Sequence, residues 1–466
     1  MKPGNKYESF KLVPQKLYKT FSIFFLVIFF HTNLFAQENK VLTLKDAINY
    51  ALNANQNARK ANLDVENSNY KIAEVKSRAL PQINGSAALT YNPILQQSAL
   101  PGEIFGQPGT TTLVAFGQKW NANLGVGVTQ PLFDRSVLTG LKAARSTKEF
   151  YKLNAQLTDE QLIEIVATNY YKVLVQRQQF NQLDSTINYS LKIKDILSGL
   201  YNNGLAKKID VDRITVSISN LQSQRQQLTN GVSLLENNLK YSMGMPIETE
   251  LIIPDADLTS IDPNLLINTV NPNFSNRTEN LMLQSQLKLL NYQKEAYRSE
   301  YYPSLALSGA YSYQGISNNF PLFKGEKRGA NWFDVASVGI TLKVPIFNGF
   351  ATRSRVKQSD VSIRKLQEDI SLMELGLNLE FENAKTQILN NLITLNAQKT
   401  NVDLAKEVFE NSQNNYNNGL ASLTDLLDAE NALTQAQNSY SSALLNIKLA
   451  EIQLIKSQGN LKSIIK

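Results

Sequence analysis

The sequence predicts a mainly α-helical chain with a small membrane β-barrel, organised as a tandem duplication. Three observations carry this: long stretches almost free of Gly and Pro, four short runs of alternating polarity beside prolines, and a hexapeptide that recurs unchanged. Tyr201-Asn-Asn-Gly-Leu-Ala206 returns 215 residues later as Tyr416-Asn-Asn-Gly-Leu-Ala421. Other landmarks recur in the same order. Leu80-Pro81 is answered by Tyr302-Pro303, Trp120 by Trp332, and Gln130-Pro131-Leu-Phe133 by Val344-Pro345-Ile-Phe347. Self-similarity over such a period marks one structural unit used twice.

Residues 1–36 read as a secretory signal. Five lysines precede the apolar run 21–30, and Ala36 supplies the small residue before a cut ahead of Gln37. The run falls short of the roughly 20 apolar residues of a membrane helix. The signal carries a net charge of +4, so the formal +7 of the whole falls to +3 without it. The basicity that would suggest nucleic acid therefore belongs to the signal. No cysteine follows the cut, which argues against an N-terminal lipid anchor.

The organisation that follows is a first repeat at 37–245, a Pro- and Asp-rich linker or equatorial region at 246–275, and a second repeat at 276–466. Helices are expected at 43–78, 136–201, 207–242, 276–301, 352–416 and 422–457. Pro81, Pro131, Pro303 and Pro345 are placed where helix and strand exchange, because proline disrupts the interior of both. Gly204 and Gly419 close the hairpin turns as left-handed C-caps. The last helix keeps a strict three-four apolar spacing from Leu426 and Ala429 through Ile447 to Leu454, a coiled-coil seam. Shifted by 215, the seam survives from Val211 and Ile214 to Leu239, with Arg225 its polar intruder.

Four runs alternate. Ile83, Leu89 and Tyr91 oppose Gln82, Asn84 and Thr90, and Leu124, Val126 and Val128 oppose Asn121, Asn123 and Thr129. Leu305, Leu307, Tyr311 and Tyr313 oppose Ser304, Ser308 and Ser312, and Val338, Ile340 and Leu342 oppose Ser337, Thr341 and Lys343. Each run approaches the roughly 9–11 residues that a tilted strand needs to cross a bilayer. The loops expected at 92–117 and 314–331 suit the outer side of an outer-membrane barrel. Known barrels start at about 8 strands, so four cannot close, and chains must pool them.

Composition limits chemistry. With no cysteine and one histidine, His31, thiol nucleophiles, Cys/His zinc sites and serine-histidine triads are excluded. No convergent acid, base or nucleophile is visible, so no enzyme, cofactor or metal site is expected. A periplasmic adaptor-type coiled-coil protein is the alternative reading. An adaptor, however, would show one hairpin and a lipoyl-like β module, whereas this chain has two hairpins and bilayer-length strands.

Over essentially the whole chain beyond the signal, these residues resemble the TolC-like outer-membrane efflux proteins. The resemblance rests on Leu42-Thr-Leu-Lys-Asp-Ala-Ile-Asn-Tyr-Ala-Leu52, Leu80-Pro81, Pro131-Leu-Phe133 and Tyr416-Asn-Asn-Gly-Leu-Ala-Ser-Leu-Thr-Asp425-Leu-Leu-Asp428. It implies a homotrimer with a 12-stranded β-barrel in outer-membrane lipid and a trimeric α-barrel tunnel reaching into the periplasm. It also implies docking to a periplasmic adaptor coupled to an inner-membrane pump, in a tripartite efflux pump or type I secretion system. Residues matching the family's periplasmic gate are Asp425 and Asp428, with Tyr416 and Asp210 in its latch. An arginine of that latch would fall at Ala421 and is missing. Aspartate in a first helical turn is also favoured by the helix dipole alone, so gate and cap both stand as readings.

Overall fold

The computed structural model describes residues 41–254, 258, 274–320 and 329–465. The signal at 1–36 and most of the linker lie outside them. The chain divides into a small unit, residues up to Leu42 with Glu250–Pro254, and a large one, Thr43–Thr249 with Asp255–Lys466. In the small unit the Leu42 N–H donates to the Ile252 carbonyl at 2.7 Å. All further elements belong to the large unit.

The helix expected at 43–78 is two helices, α1 (Leu44–Ala54) and α2 (Gln56–Ser77). Asn55 breaks them. Its side-chain oxygen accepts from the Asn57 N–H at 2.8 Å and caps α2, while its Nδ2 donates to the Ser242 carbonyl at 2.8 Å. Both bonds need Asn55 in extended backbone, with ψ near 133°. The remaining long helices are α3 (Arg135–Asn202), α4 (Lys208–Met243), α5 (Thr278–Ser299), α6 (Ala351–Asn417) and α7 (Leu423–Ser457). At 68 and 67 residues, α3 and α6 each run roughly 100 Å at 1.5 Å per residue.

The strands are β1 (Gln82–Tyr91), β2 (Gln97–Pro101), β3 (Thr111–Ala115), β4 (Trp120–Phe133), β5 (Ser304–Ser317) and β6 (Ala330–Lys343). An antiparallel sheet runs in the order β1-β4-β5-β6. Its register lines up the apolar positions across all four strands: Gly85, Val126, Tyr311 and Ala336 share one row, and Ile83, Val128, Gly309 and Val338 another. The intervening rows are mostly polar or small, as in Gln82, Thr129, Ser308 and Gly339. An off-by-one register would have mixed the two faces. The loop expected at 92–117 contains a second hairpin, β2 with β3.

Two expectations change here. Pro131 is not at the exchange of strand and helix but inside β4, where the register shifts between Pro131 and Phe133. Lacking an N–H, it interrupts the ladder without ending the strand. β6 also starts seven residues earlier than Ser337, and places Asp334 in the apolar row of Leu124 and Tyr313.

Two helical hairpins, α3 with α4 and α6 with α7, pack along their lengths, and α2 and α5 cover the strand-proximal parts of α3 and α6. Near the strands the order is α2-α3-α5-α6; toward the hairpin turns it is α4-α3-α7-α6. The α7 seam is buried at Leu426, Ala429, Ala443, Ile447, Ala450 and Leu454. Arg225, the intruder in the α4 seam, leaves it for Asp184 of α3 at 2.5 Å and stacks over the Phe180 ring.

The duplication extends to how each repeat is fastened. Asn55 precedes the 22-residue helix α2 and binds the carbonyl of Ser242, at the end of α4. Arg277 precedes the 22-residue helix α5 and donates to the carbonyls of Lys456 and Ser457, at the end of α7, at 2.7 and 2.8 Å. Gly244 and Gly459 both follow at φ near +73°, and a Cβ on either would meet the fastening residue at under 3 Å. In the second repeat the joint is ionic. Buried Arg277 also binds Glu279 at 2.7 Å, and Lys456 joins Glu164 of α3 to Glu380 of α6.

Candidate functional site at the hairpin tips

Both hairpins turn alike. α3 ends at Gly204, φ near +73°, with the Leu205 N–H returning to the Leu200 carbonyl at 2.8 Å; α6 ends at Gly419, φ near +70°, with Leu420 returning to Asn415 at 2.8 Å. This is the glycine-closed Schellman pattern, which needs a left-handed residue. The turns feed α4 and α7, and a shared cluster of Ile193, Leu197, Ile214, Ile218, Leu423 and Leu426 fixes the two tips together.

The beginnings of α4 and α7 differ. At α7, Ser422 and Asp425 form a capping box: the Ser422 N–H and hydroxyl both donate to Asp425, and the Asp425 N–H donates back to the Ser422 oxygen. Those bonds from Ser422 hold the Asp425 carboxyl below its ordinary range. α4 is preceded by Lys207, which makes no side-chain cap, and Asp210 stands in the place of Asp425. Asp428 lies one turn beyond Asp425, exposed and with no bonding partner among the described residues.

Tyr416 packs against the tip cluster. Burial, and then the nearby charge of Asp210, push its hydroxyl up. The structure thus brings Tyr416 and Asp210 into one neighbourhood, with Asp425 and Asp428 on the next helix.

One residue was not singled out from the sequence. Arg213 of α4 donates from Nη1 to Thr424 Oγ1 of α7 at 2.7 Å. It crosses from the first repeat to the second, opposite in direction to an arginine at position 421. The signal was in the 215-residue offset, which pairs Arg213 with Asp428. Arg213, Asp212, Val216, Leu427 and Asp428 line a groove of about 540 Å³ between α4 and α7. Among the described residues, no group of three or more acidic or histidine side chains is placed to hold a metal ion, and no helix is long and apolar enough to cross a membrane.

The model of the outer membrane efflux protein family matches residues 47–245 and 276–460. The chain belongs to that family. It is similar to outer membrane protein TolC of Salmonella enteritidis, with 21% identity over 416 residues that cover 88% of this chain and 80% of the relative. It is also similar to toxin and drug export protein A of Aggregatibacter actinomycetemcomitans, 23% identical over 438 residues, covering 91% of this chain and 87% of the relative. Its fold is similar to the crystal structure of the outer membrane protein VceC from Vibrio cholerae, with a TM-score of 0.68 at 16% identity over 89% of this chain and 96% of that one. The Campylobacter jejuni CmeC outer membrane channel gives 0.66 at 15% identity, over 98% and 94% of the two chains. As an outer membrane efflux protein the chain is an outer-membrane channel with a periplasmic extension, in a transport family and not an enzyme family.

Proposed function

We propose that three copies of the chain form the exit duct of a tripartite efflux pump or type I secretion system, without enzymatic activity of its own. Each copy contributes four strands to a 12-stranded barrel and its hairpins to a periplasmic tunnel. The observation that carries this reading is the four-stranded sheet: one face is apolar in register, and among the described residues β1 and β6 each keep an unpaired edge. An open edge in lipid is untenable, because hydrocarbon offers no partner for backbone N–H and C=O groups. Pairing β6 of each copy with β1 of the next, around a closed ring of three, removes both edges. Relatives named for toxin and drug export and for solvent efflux support export as the task.

In this reading the repeats run over 37–245 and 276–466, and the tips carry the gate. Asp425 is engaged in its cap, so Asp428 is the carboxylate free to line a constriction, with Tyr416, Asp210 and the Arg213–Thr424 bond holding the closed state. The groove between α4 and α7, apolar at Val216 and Leu427, is the surface offered to a periplasmic adaptor coupled to an inner-membrane pump.

Planar-bilayer conductance in mixed salts tests the gate. Asp428→Ala should abolish cation preference and block by multivalent cations without lowering the melting point. Asp425→Ala should lower the melting point and leave selectivity largely intact. Unchanged selectivity in both variants would remove the gate and leave these residues as structural groups.

A further inference from the structure

α7 buries a carboxylate with no cation beside it. Glu430, two residues beyond Asp428, is only 5% exposed. Farther along the same helix, buried Lys448 and Glu451 stand 2.9 Å apart, an ion pair of opposite charges. Among the described residues Glu430 has no such partner. Its contact is with Ser190 of α3, fully buried, whose Oγ lies 2.6 Å from Glu430 Oε1. An isolated buried carboxylate with one neutral donor favours the acid form.

The local geometry agrees. Ser190 Oγ is within bonding distance of two acceptors, the Glu430 carboxyl and the Thr186 carbonyl at 3.1 Å. A hydroxyl has one proton to give. Both contacts are made together when the Glu430 acid O–H donates to Ser190 Oγ and the Ser190 O–H donates to the Thr186 carbonyl. Burial correspondingly lifts the Glu430 carboxyl above its ordinary range, with Ser190 working weakly against it.

Among the described residues, the other titratable groups coupled to this seam are phenols. From α3 comes Tyr189, raised by burial and then by Glu430; beside it stands Tyr416 of α6, raised by burial and then by Asp210. Tyr189 packs edge-on against Phe409 of α6, with ring centroids 5.3 Å apart, and α4 brings the apolar Val211, Ile214 and Ile218 to the adjoining cluster. Of these groups Glu430 is the carboxyl: burial moves it up toward neutral pH, whereas burial moves the two phenols further above it.

We propose that Glu430 is a proton-operated clasp between α3 and α7, seated while protonated and driven from the seam when it ionises, so that the tips loosen as pH rises. The sign follows from linkage. A carboxyl whose pKa is raised by packing contributes its stability fully below the ordinary carboxylate range and loses it as pH climbs through the raised value. The consequence for transport rests on the tips being the inner end of the channel.

The test uses the full-length chain in membranes between pH 5 and 9, with two readouts: protease nicking at the turn 417–422 and bilayer conductance. Each pH unit past the midpoint changes the acid-to-base ratio about tenfold, so nicking should rise by at least about tenfold between the two ends of the range. Glu430→Gln should flatten that rise, because the amide keeps the shape without the ionisation. Ser190→Ala removes the one donor to the ionised form and should move the midpoint to higher pH. If Glu430→Gln fails to assemble, the Ser190→Ala shift decides. A Glu430→Gln chain that titrates like the natural one, or a Ser190→Ala midpoint that stays put, overturns the clasp. Nicking that titrates while conductance does not would uphold the clasp and remove the tip gate; conductance that titrates with flat nicking would overturn the clasp.

Discussion

Asp425 and Asp428 are one turn apart on the same helix and meet different surroundings. The spacing Ser422-Leu-Thr-Asp425 is a capping box, and the three bonds between its ends account for Asp425 without any gate. Asp428, with no such partner, faces the groove that Arg213 shares. Replacing Arg213 by Ala should free Thr424 and separate α4 from α7, raising conductance of the closed channel while melting stays within a degree or two of the natural chain. An unchanged resting conductance would show that the bond is a surface contact. The carboxylates were legible because they lie in a recognisable run, and the cap because its spacing is fixed. Arg213 was not. Its partner is 211 residues away, and only the internal offset, applied residue by residue, placed it beside the turn of α7.

The seams and the ends of the long helices were readable to within one or two residues, since Asn-Asn-Gly turns and three-four spacing are local signals. What local pattern missed was set by tertiary contact. Asn55 interrupts a run with helical periodicity throughout, because its amide is claimed by Ser242. β6 was read only from Ser337, because Asp334, which the ladder sets opposite Tyr313, breaks the alternation. The sheet faces can be tested directly. Leu124→Arg or Ile340→Arg puts a charge on the apolar face and should cost roughly 2–4 kcal/mol per chain near mid-bilayer, whereas Asn123→Arg stays hydrated. Equal assembly of all three, scored by outer-membrane recovery, would refute the assignment of faces. The joint at the end of α7 makes a second prediction. Arg277 is 5% exposed and holds two carbonyls and Glu279, so Arg277→Ala should destabilise by about 3–5 kcal/mol, as when one partner of a buried pair is removed. Asn55→Ala, at the neutral counterpart, should cost about 1–3 kcal/mol for the unpaired carbonyl and lost cap. Equal melting losses for the two would mean that the ionic network adds nothing.

The element order leaves two lateral faces to each copy: α2 and α4 on one side, α6 on the other. α6 has no sequence neighbour to cover its far side, yet Leu372, Leu375 and Leu379 are each more than 60% exposed there, at the spacing of one helical face. The stripe continues toward the tip with Ile393, Leu404 and Val408. On the opposite flank, Leu63 and Tyr70 of α2 and Leu234 of α4 are likewise exposed. A helix of roughly 100 Å with an apolar stripe in water has no stable existence alone, because helices in proteins are held by packing of such a face. The two flanks have complementary extents: α2 beside the strands and α4 beside the tips match the two halves of α6. The same threefold pooling that closes the sheet therefore covers the helices, and the two should fail together. Leu375→Asp puts one charge per copy into the helical contact, far from the sheet and from the tip residues. It should turn the heat-modifiable oligomer on unheated gels into monomer, and send the chain out of the outer-membrane fraction although its strands are untouched. A stable oligomer with Leu375→Asp would place the α6 face outside the subunit contact and leave the closing of the barrel to the strand edges alone.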